Sequence, residues 1–301
     1  MKLSTQFGAL TKRFGPEVSL KMLADAGFES CDYSLTDRSA NWNDVRLGDV
    51  RSSEFKAYFE NIANVAKKNN IEIGMTHAPY CMVFSSSHEE YAQTQEHTIR
   101  AIYATKLLNC PYIVVHPVMH PDFNNGQNPE RALRANLDYF KGLVPALKET
   151  GVIACIENLY WGKRTDPKTP NSCTTPEQLI KIIDTLNELY GPHFAACLDT
   201  GHATISGENA IEFVEKLGKR LRTLHIQDNF GVLDNHVVPG RGVIDWKAFM
   251  KTFRASGYEG TFNFEVDGYL ADFNREWFGV DVITQSLKTL YLIGKTMENM
   301  E

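Results

Sequence analysis

Nine side chains able to ligate a metal ion recur along the chain, most of them following or ending a short apolar run. They are His77 (MTHAPY), His116 (VVHPV), Glu157 (CIENLY), Asp199 and His202 (CLDTGH), His225 (LHIQD), Asp234 and His236 (LDNH), and Glu265 (FNFEV). A short apolar run is how a strand buried on both faces reads in a parallel sheet. The nine residues therefore sit near the C-terminal ends of six successive strands. Spread from position 77 to position 265, they cannot be a local finger or loop. Only a closed parallel barrel gathers them, at the C-terminal rim where such barrels keep their chemistry.

Four of the nine, Glu157, Asp199, His225 and Glu265, come from consecutive strands five to eight. Three carboxylates and one imidazole suit a hard-to-borderline divalent ion: Mn2+, Mg2+, Co2+ or Zn2+. Clustered without a cation, three carboxylates would repel one another. A metal centre is the expectation. His202 follows Asp199 by three positions, past Gly201, a spacing that lets both reach one centre from a strand-to-helix turn. Asp234 and His236 lie on the connection after strand seven, and His77 and His116 end strands three and four. The other histidines, His88, His97, His120 and His193, fall on helices or connections and read as surface residues.

The elements that must carry this rim alternate along the chain. The strand patterns are KLSTQFG, FESCDYSL, IEIGMTH, YIVVH, VIACIEN, FAACLDT, RTLHIQD and TFNFEV. Helical patterns lie between them, at 54–69, 88–109, 130–150, 209–219, 244–256 and 281–299, and another opens in TTPEQLIKII. In that last stretch Thr175, Pro176 and Glu177 follow the order of N-cap, first turn and capping partner. Gly27, Asn69–Asn70, Gly151, Gly191 and Gly257 mark helix-to-strand turns. This beat predicts an α/β fold, a single (β/α)8 TIM barrel over residues 1–301 with no dividing linker. Connections 34–53, 159–173 and 229–243 should overhang the rim. Their aromatics and those of neighbouring turns (Trp42, Tyr80, Phe84, Tyr160, Trp161, Tyr269) are candidates for stacking on a substrate, whereas Trp246 should pack its helix on the barrel.

Bulk properties narrow the class further. The 301 residues are 43% hydrophobic and 23% charged, as in an ordinary globular protein, and size is ample for a large core. A net charge of −6 argues against general attraction to nucleic acid or anionic membranes. MKLSTQFGAL lacks the apolar core of a signal peptide, and no segment reaches the length of a membrane span, so a cytoplasmic protein is expected. The six cysteines (31, 81, 110, 155, 173, 197) form no CxxC pair and read as reduced thiols, with Cys81 the one near a site. No GxGxxG or GxxxxGK[ST] loop supports a nucleotide cofactor.

HAPY, IEN, CLDTGH, HIQDN, DNHVVPGRGVIDW and the strand-eight glutamate, taken together, resemble the xylose-isomerase-like TIM barrel superfamily. That group holds sugar-phosphate isomerases and epimerases together with the endonuclease IV nucleases. The resemblance covers strands three to eight. It implies one divalent ion held by Glu157, Asp199, His225 and Glu265, as in the ketose epimerases, with Glu157 and Glu265 as the catalytic pair. The endonucleases add ligands matching His77, His116, His202, Asp234 and His236 to hold three zinc ions, and this sequence has all nine. Those nucleases read DRH and GEGNIG where this chain reads DNH and PGRGVIDW, a string more like the sugar-active branch. Their grip on DNA also needs a basic rim, whereas FEVDGYLADFNREW is acidic. Ketose 3-epimerases carry a substrate-gripping arginine about where His236 sits.

The expected activity is thus a metal-dependent sugar or sugar-phosphate isomerase or epimerase working by proton transfer through a metal-stabilised enediolate. One ion is expected, with three as the upper bound. His202, Arg241, His77 and His116 are candidates for contact with a small sugar substrate. An endonuclease IV-like zinc phosphodiesterase and a polyol-ketone dehydratase are the alternatives. Neither nucleic acid nor membrane is expected as a partner, and a homo-oligomer is left open.

Overall fold

The computed structural model describes residues 1–35, 48–79, 88–118, 128–160 and 173–300. Eight strands run parallel: β1 (Leu3–Gln6), β2 (Ser30–Ser34), β3 (Glu72–His77), β4 (Tyr112–Val115), β5 (Ile153–Glu157), β6 (Phe194–Asp199), β7 (Leu221–His225) and β8 (Phe262–Phe264). Strands β1 to β7 pair in sequence order, and β8 pairs with β1. The ring closes between β7 and β8 just at the rim, where Ile226 N–H donates to Asn263 O at 2.8 Å and Glu265 N–H donates to Ile226 O at 3.0 Å.

Parallel neighbours require long crossovers, and helices supply them. They are α1 (Gly8–Ala26), α2 (Ser53–Lys68), α3 (His88–Leu107), α4 (Pro129–Thr150), α5 (Pro176–Tyr190), α6 (Thr200–Ser206), α7 (Ala210–Leu217), α8 (Trp246–Ala255), α9 (Asp267–Phe273) and α10 (Val280–Glu298). The architecture is the (β/α)8 TIM barrel. The α1 helix is bent where Gly15 takes φ +77 just before Pro16, which blurs its sequence period. Thr175 caps α5 as expected, but its capping-box partner is Gln178 rather than Glu177. The acidic stretch after β8 folds as the short α9. No helix among the described residues is long and apolar enough to cross a membrane.

Strand alternation then positions the site. Met75, Val114, Cys155 and Cys197 form, with Ala195, a small apolar cluster separate from the large core beneath the helices. Side chains alternate along a strand, so the residues two further on (His77, His116, Glu157 and Asp199) share that face. The apolar cluster is a floor, and the polar residues stand on it. The cysteines other than Cys81, which lies outside the described residues, are buried and unpaired as disulfides. His97 is buried on α3, so it is not the surface residue its helical position suggested; a lowered pKa, due chiefly to burial, accompanies this.

Candidate metal centre

All nine ligand-type residues converge at the C-terminal rim. Donor atoms of Glu157, Asp199, His225 and Glu265 lie within 4.8 Å of one another, and all four residues are buried. His225 Nδ1 stands between two of the carboxylates, 3.1 Å from Glu157 Oε1 and 3.2 Å from Glu265 Oε2. Three further donor groups adjoin or overlap this one: His77, His116 and Glu157; His77, His225 and Glu265; and His202, Asp234 and His236. Glu157 is the hinge of the arrangement. His116 Nε2 approaches its Oε2 at 3.0 Å and His202 Nδ1 its Oε1 at 3.3 Å.

The donor set fits a divalent cation. Glu157 Oε2 and Glu265 Oε2 are buried, and although His116 Nε2 and His225 Nδ1 lie 3.0 and 3.2 Å from them, no described residue donates to either with hydrogen-bond geometry. A buried carboxylate oxygen without a donor is costly unless a cation faces it. Charge balance among the protein groups points the same way. Burial works against ionisation of Glu157, yet His225 and His116 hold its carboxyl well below the ordinary range. Glu265 is likewise opposed by burial and brought down to about 2, mainly by His225. Asp199 moves oppositely, pushed up to about 7 by burial and by the nearby Glu265 and Glu157 despite His202. Burial lowers the His202 and His225 pKa values, but the surrounding acids overcome it and hold both well above the usual imidazole range. His236 is raised to about 10 against burial, chiefly by its bond to Asp234.

Protons thus balance the acids in the metal-free chain, and a pH dependence follows. Asp199 in the folded state keeps a proton that the unfolded chain releases near 4, so its contribution falls as pH rises toward 7. The raised histidines stabilise the fold below their unfolded pKa and lose that contribution as pH climbs through their folded values. In chelator, the melting temperature should therefore fall between about pH 6 and 9. Thermal melts across that range check this, and a flat or rising profile would contradict it.

Residues not evident from the sequence hold the ligands in place. Asn158, next to Glu157, clamps β5 to β6: its amide donates to Asp199 O at 2.9 Å and its Oδ1 accepts from Asp199 N at 2.7 Å. Gln227 Nε2 donates to Asp234 Oδ1 at 2.7 Å and reaches Asp199 Oδ1 at 3.3 Å. Gly201 permits this approach, because a Cβ there would sit 2.2 Å from Gln227 Cδ. Asp199 also caps α6, accepting from His202 N–H at 2.6 Å, which turns His202 toward the centre. Asp32 on β2, also buried, faces His225 Nε2 at 3.4 Å. Asn158 and Gln227 lie beside strand ends already singled out, and that adjacency was the available signal; Asp32, in the middle of β2, carried none.

The connection after β7 is pinned by one buried carboxylate. Asp228 Oδ2 accepts from Gly240 N (3.0 Å), Gly242 N (3.0 Å) and Trp246 Nε1 (2.8 Å). Its Oδ1 accepts from Asn229 N (2.9 Å) and Ile244 N (3.3 Å). Trp246 therefore packs α8 as expected and also ties the loop. Within that loop His236 adopts φ +47, a backbone state unfavourable for a non-glycine residue. Both ring nitrogens are engaged, Nδ1 donating to Glu265 O at 2.9 Å and Nε2 lying 2.8 Å from Asp234 Oδ2.

Other sequence candidates are placed differently. Arg241 is exposed on the same loop, and its guanidinium makes no hydrogen bond or ion pair with a described residue. The Tyr160 ring lies 5.0 Å from that of His202, at the mouth. Tyr269 instead turns away, its hydroxyl donating to Ser286 O of α10. Trp42, Tyr80, Phe84 and Trp161 lie outside the described residues, as do His120 and most of connections 34–53 and 159–173.

A parallel eight-stranded barrel with a polyvalent acid–histidine rim defines a class, and comparison places the chain within it. Residues 20–283 match the xylose isomerase-like TIM barrel family, and the chain belongs to that family. Fructoselysine 3-epimerase of Escherichia coli O157:H7 is 28% identical over 104 residues, 35% of this chain and 38% of that protein. Inosose dehydratase of Geobacillus thermodenitrificans is 33% identical over 108 residues, 30% of this chain and 36% of its own. The chain thus spans less than two thirds of the length of these curated relatives. A D-tagatose 3-epimerase-like protein superposes with TM-score 0.69 at 20% identity, covering 99% of this chain and 98% of its own, which shows the shared fold.

Proposed function

We propose that the chain is a divalent-metal-dependent isomerase or epimerase of a sugar or sugar phosphate. The observation that carries this reading is the placement of Glu157 and Glu265 on one imidazole nitrogen, at 3.1 and 3.2 Å, inside a buried four-donor group. Glu157, Asp199, His225 and Glu265 would hold the ion. When bound, it supplies an electrophile for the substrate oxygen that gains negative charge as a neighbouring C–H bond breaks.

The chain's own groups do the rest. Glu157 arrives from β5 and Glu265 from the end of β8, as two carboxylates facing a shared centre. One removes the proton from the carbon beside the carbonyl; in an epimerase the other returns a proton to the opposite face. In an aldose–ketose isomerase one carboxylate carries it between adjacent carbons. His202, with Tyr160 against its ring, donates to a substrate oxygen, and His77 and His116 line the far side. Arg241, exposed at the rim, is available to a substrate carboxylate or phosphate. The curated relatives named for fructoselysine and inosose support a polyhydroxy carbonyl substrate.

A second reading rests on the additional donors His77, His116, His202, Asp234 and His236, which the sequence resemblance matches to the ligand set of a three-zinc phosphodiesterase. The net charge of −6 weighs against a grip on DNA. One experiment separates them. Protein purified without added metal is analysed for elements, then assayed in D2O on ketoses, aldoses and their phosphates, and separately on an abasic-site duplex. About one ion per chain, with deuterium at the carbon next to the carbonyl in recovered sugar, is the expected result. Three zincs with strand incision would replace this reading by the phosphodiesterase. Turnover without any deuterium would point to a hydride shift, and sugar binding without turnover to a non-catalytic barrel.

A further inference from the structure

We infer that Asp32, on β2, is a positioning residue that sets the tautomer and orientation of His225 for metal binding. The inference rests on the proposed metal centre and adds to it a residue outside the ligand set.

The rim histidines differ in which ring nitrogen faces the acids. His77, His202 and His236 each direct Nδ1 at a backbone carbonyl, Ala78 O at 2.9 Å, Asn158 O at 3.0 Å and Glu265 O at 2.9 Å. A carbonyl can only accept, so the proton of the neutral ring sits on Nδ1 and Nε2 is left as the ligand atom. His225 is reversed. Its Nδ1 faces Glu157 and Glu265, so ligation through Nδ1 requires the proton on Nε2. Among the described residues no backbone carbonyl takes that proton: Nε2 is buried and meets no acceptor with hydrogen-bond geometry. What it faces is Asp32 Oδ2 at 3.4 Å.

Asp32 shows the complementary deficit. It is fully buried, and neither carboxylate oxygen accepts a hydrogen bond. A carboxylate in that state is destabilising to the fold unless a proton donor or cation faces it. The Cys197 thiol, buried on the floor beneath the ring, is only a weak acceptor. The His225 ring itself is fully enclosed, stacked on His77 with centroids 5.4 Å apart and planes 13° from parallel. Stacking fixes the plane but leaves the tautomer and the in-plane aim undetermined. Asp32 decides both: its charge favours a proton on Nε2, directs the Nδ1 lone pair at the two glutamates and raises the basicity of that nitrogen. Carboxylate–histidine–metal triads work this way, and loss of the outer carboxylate typically weakens the metal about 10–100-fold.

The test uses Co2+ as probe on the full chain stripped of metal. Wild type, Asp32→Ala and Asp32→Asn are titrated with Co2+ by visible absorption against a competing chelator, and each metal-free protein is melted. Asp32→Ala should weaken Co2+ binding about 10–100-fold and shift the visible band. Asn keeps the volume and one acceptor, so it should give a smaller loss, about threefold to tenfold. Metal-free melting temperatures should also fall, because one partner of a buried pair has been removed. Affinity within twofold of wild type would overturn the inference, as would a fall in the metal-free melting temperature with unchanged affinity, which marks a structural role. If wild type itself takes up no Co2+, the metal centre fails and the inference falls with it. A metal-binding wild type with indifferent Asp32 variants sinks the inference alone.

Discussion

Glu157→Gln and Glu265→Gln should each lower turnover on the active sugar by about 10²–10⁴-fold, the usual contribution of a positioned general acid or base. The amide keeps the shape of the side chain and cannot accept the substrate proton. Both glutamates are also candidate ligands, so bound metal must be measured beside the rate. A variant that retains its ion and loses turnover separates proton transfer from metal holding. The metal-free fold should survive with a lowered melting temperature, because each glutamate is held ionised by the histidines around it and the amide removes one partner of those buried pairs. Thermal melts check that point. Undiminished turnover in either variant would remove that glutamate from the chemistry.

The second large effect is on stability. Asp228→Asn should destabilise the protein by about 3–5 kcal/mol, read from denaturant midpoints, although the residue touches none of the four central ligands. Five donors converge on its two oxygens. An asparagine must turn an NH2 toward two or three of them, whichever way it is flipped, and each unsatisfied buried donor costs about 1–3 kcal/mol. The same loop returns to β7 through the Asp228–Val237 bridge and carries Asp234 and the strained His236. Loosening it should therefore free His236 from its φ +47 state and scatter the outer donor group. A variant with unchanged stability would show that water replaces the carboxylate.

Much of this site was legible before any coordinates, for a physical reason. A parallel strand buried on both faces reads as an apolar run, and a polar residue ending such a run has one rim to occupy. Glu157, Asp199, His225 and Glu265 stood out on that basis, and alternation with helical periods implied the barrel that gathers them. The glycines and asparagines between helix and strand announced the turns through their tolerance of positive φ, as at Gly151 (φ +72) and Asn70 (φ +56).

What remained hidden depended on which groups meet across the ring. Asp32 lies between Cys31 and Tyr33 in β2, and nothing within that strand says that His225, almost two hundred positions later, has no other acceptor for its second nitrogen. His97 looked like a surface residue because a helical position does not reveal which face the barrel covers. Asp228 read as one more polar residue after a strand, since its donors lie 1 to 18 residues onward and converge only when the loop folds back. Local sequence determines the period of each element and the chemical type of each strand end. Ring closure and loop return decide which nitrogen faces which oxygen, because those contacts exist only between segments that the chain itself keeps far apart.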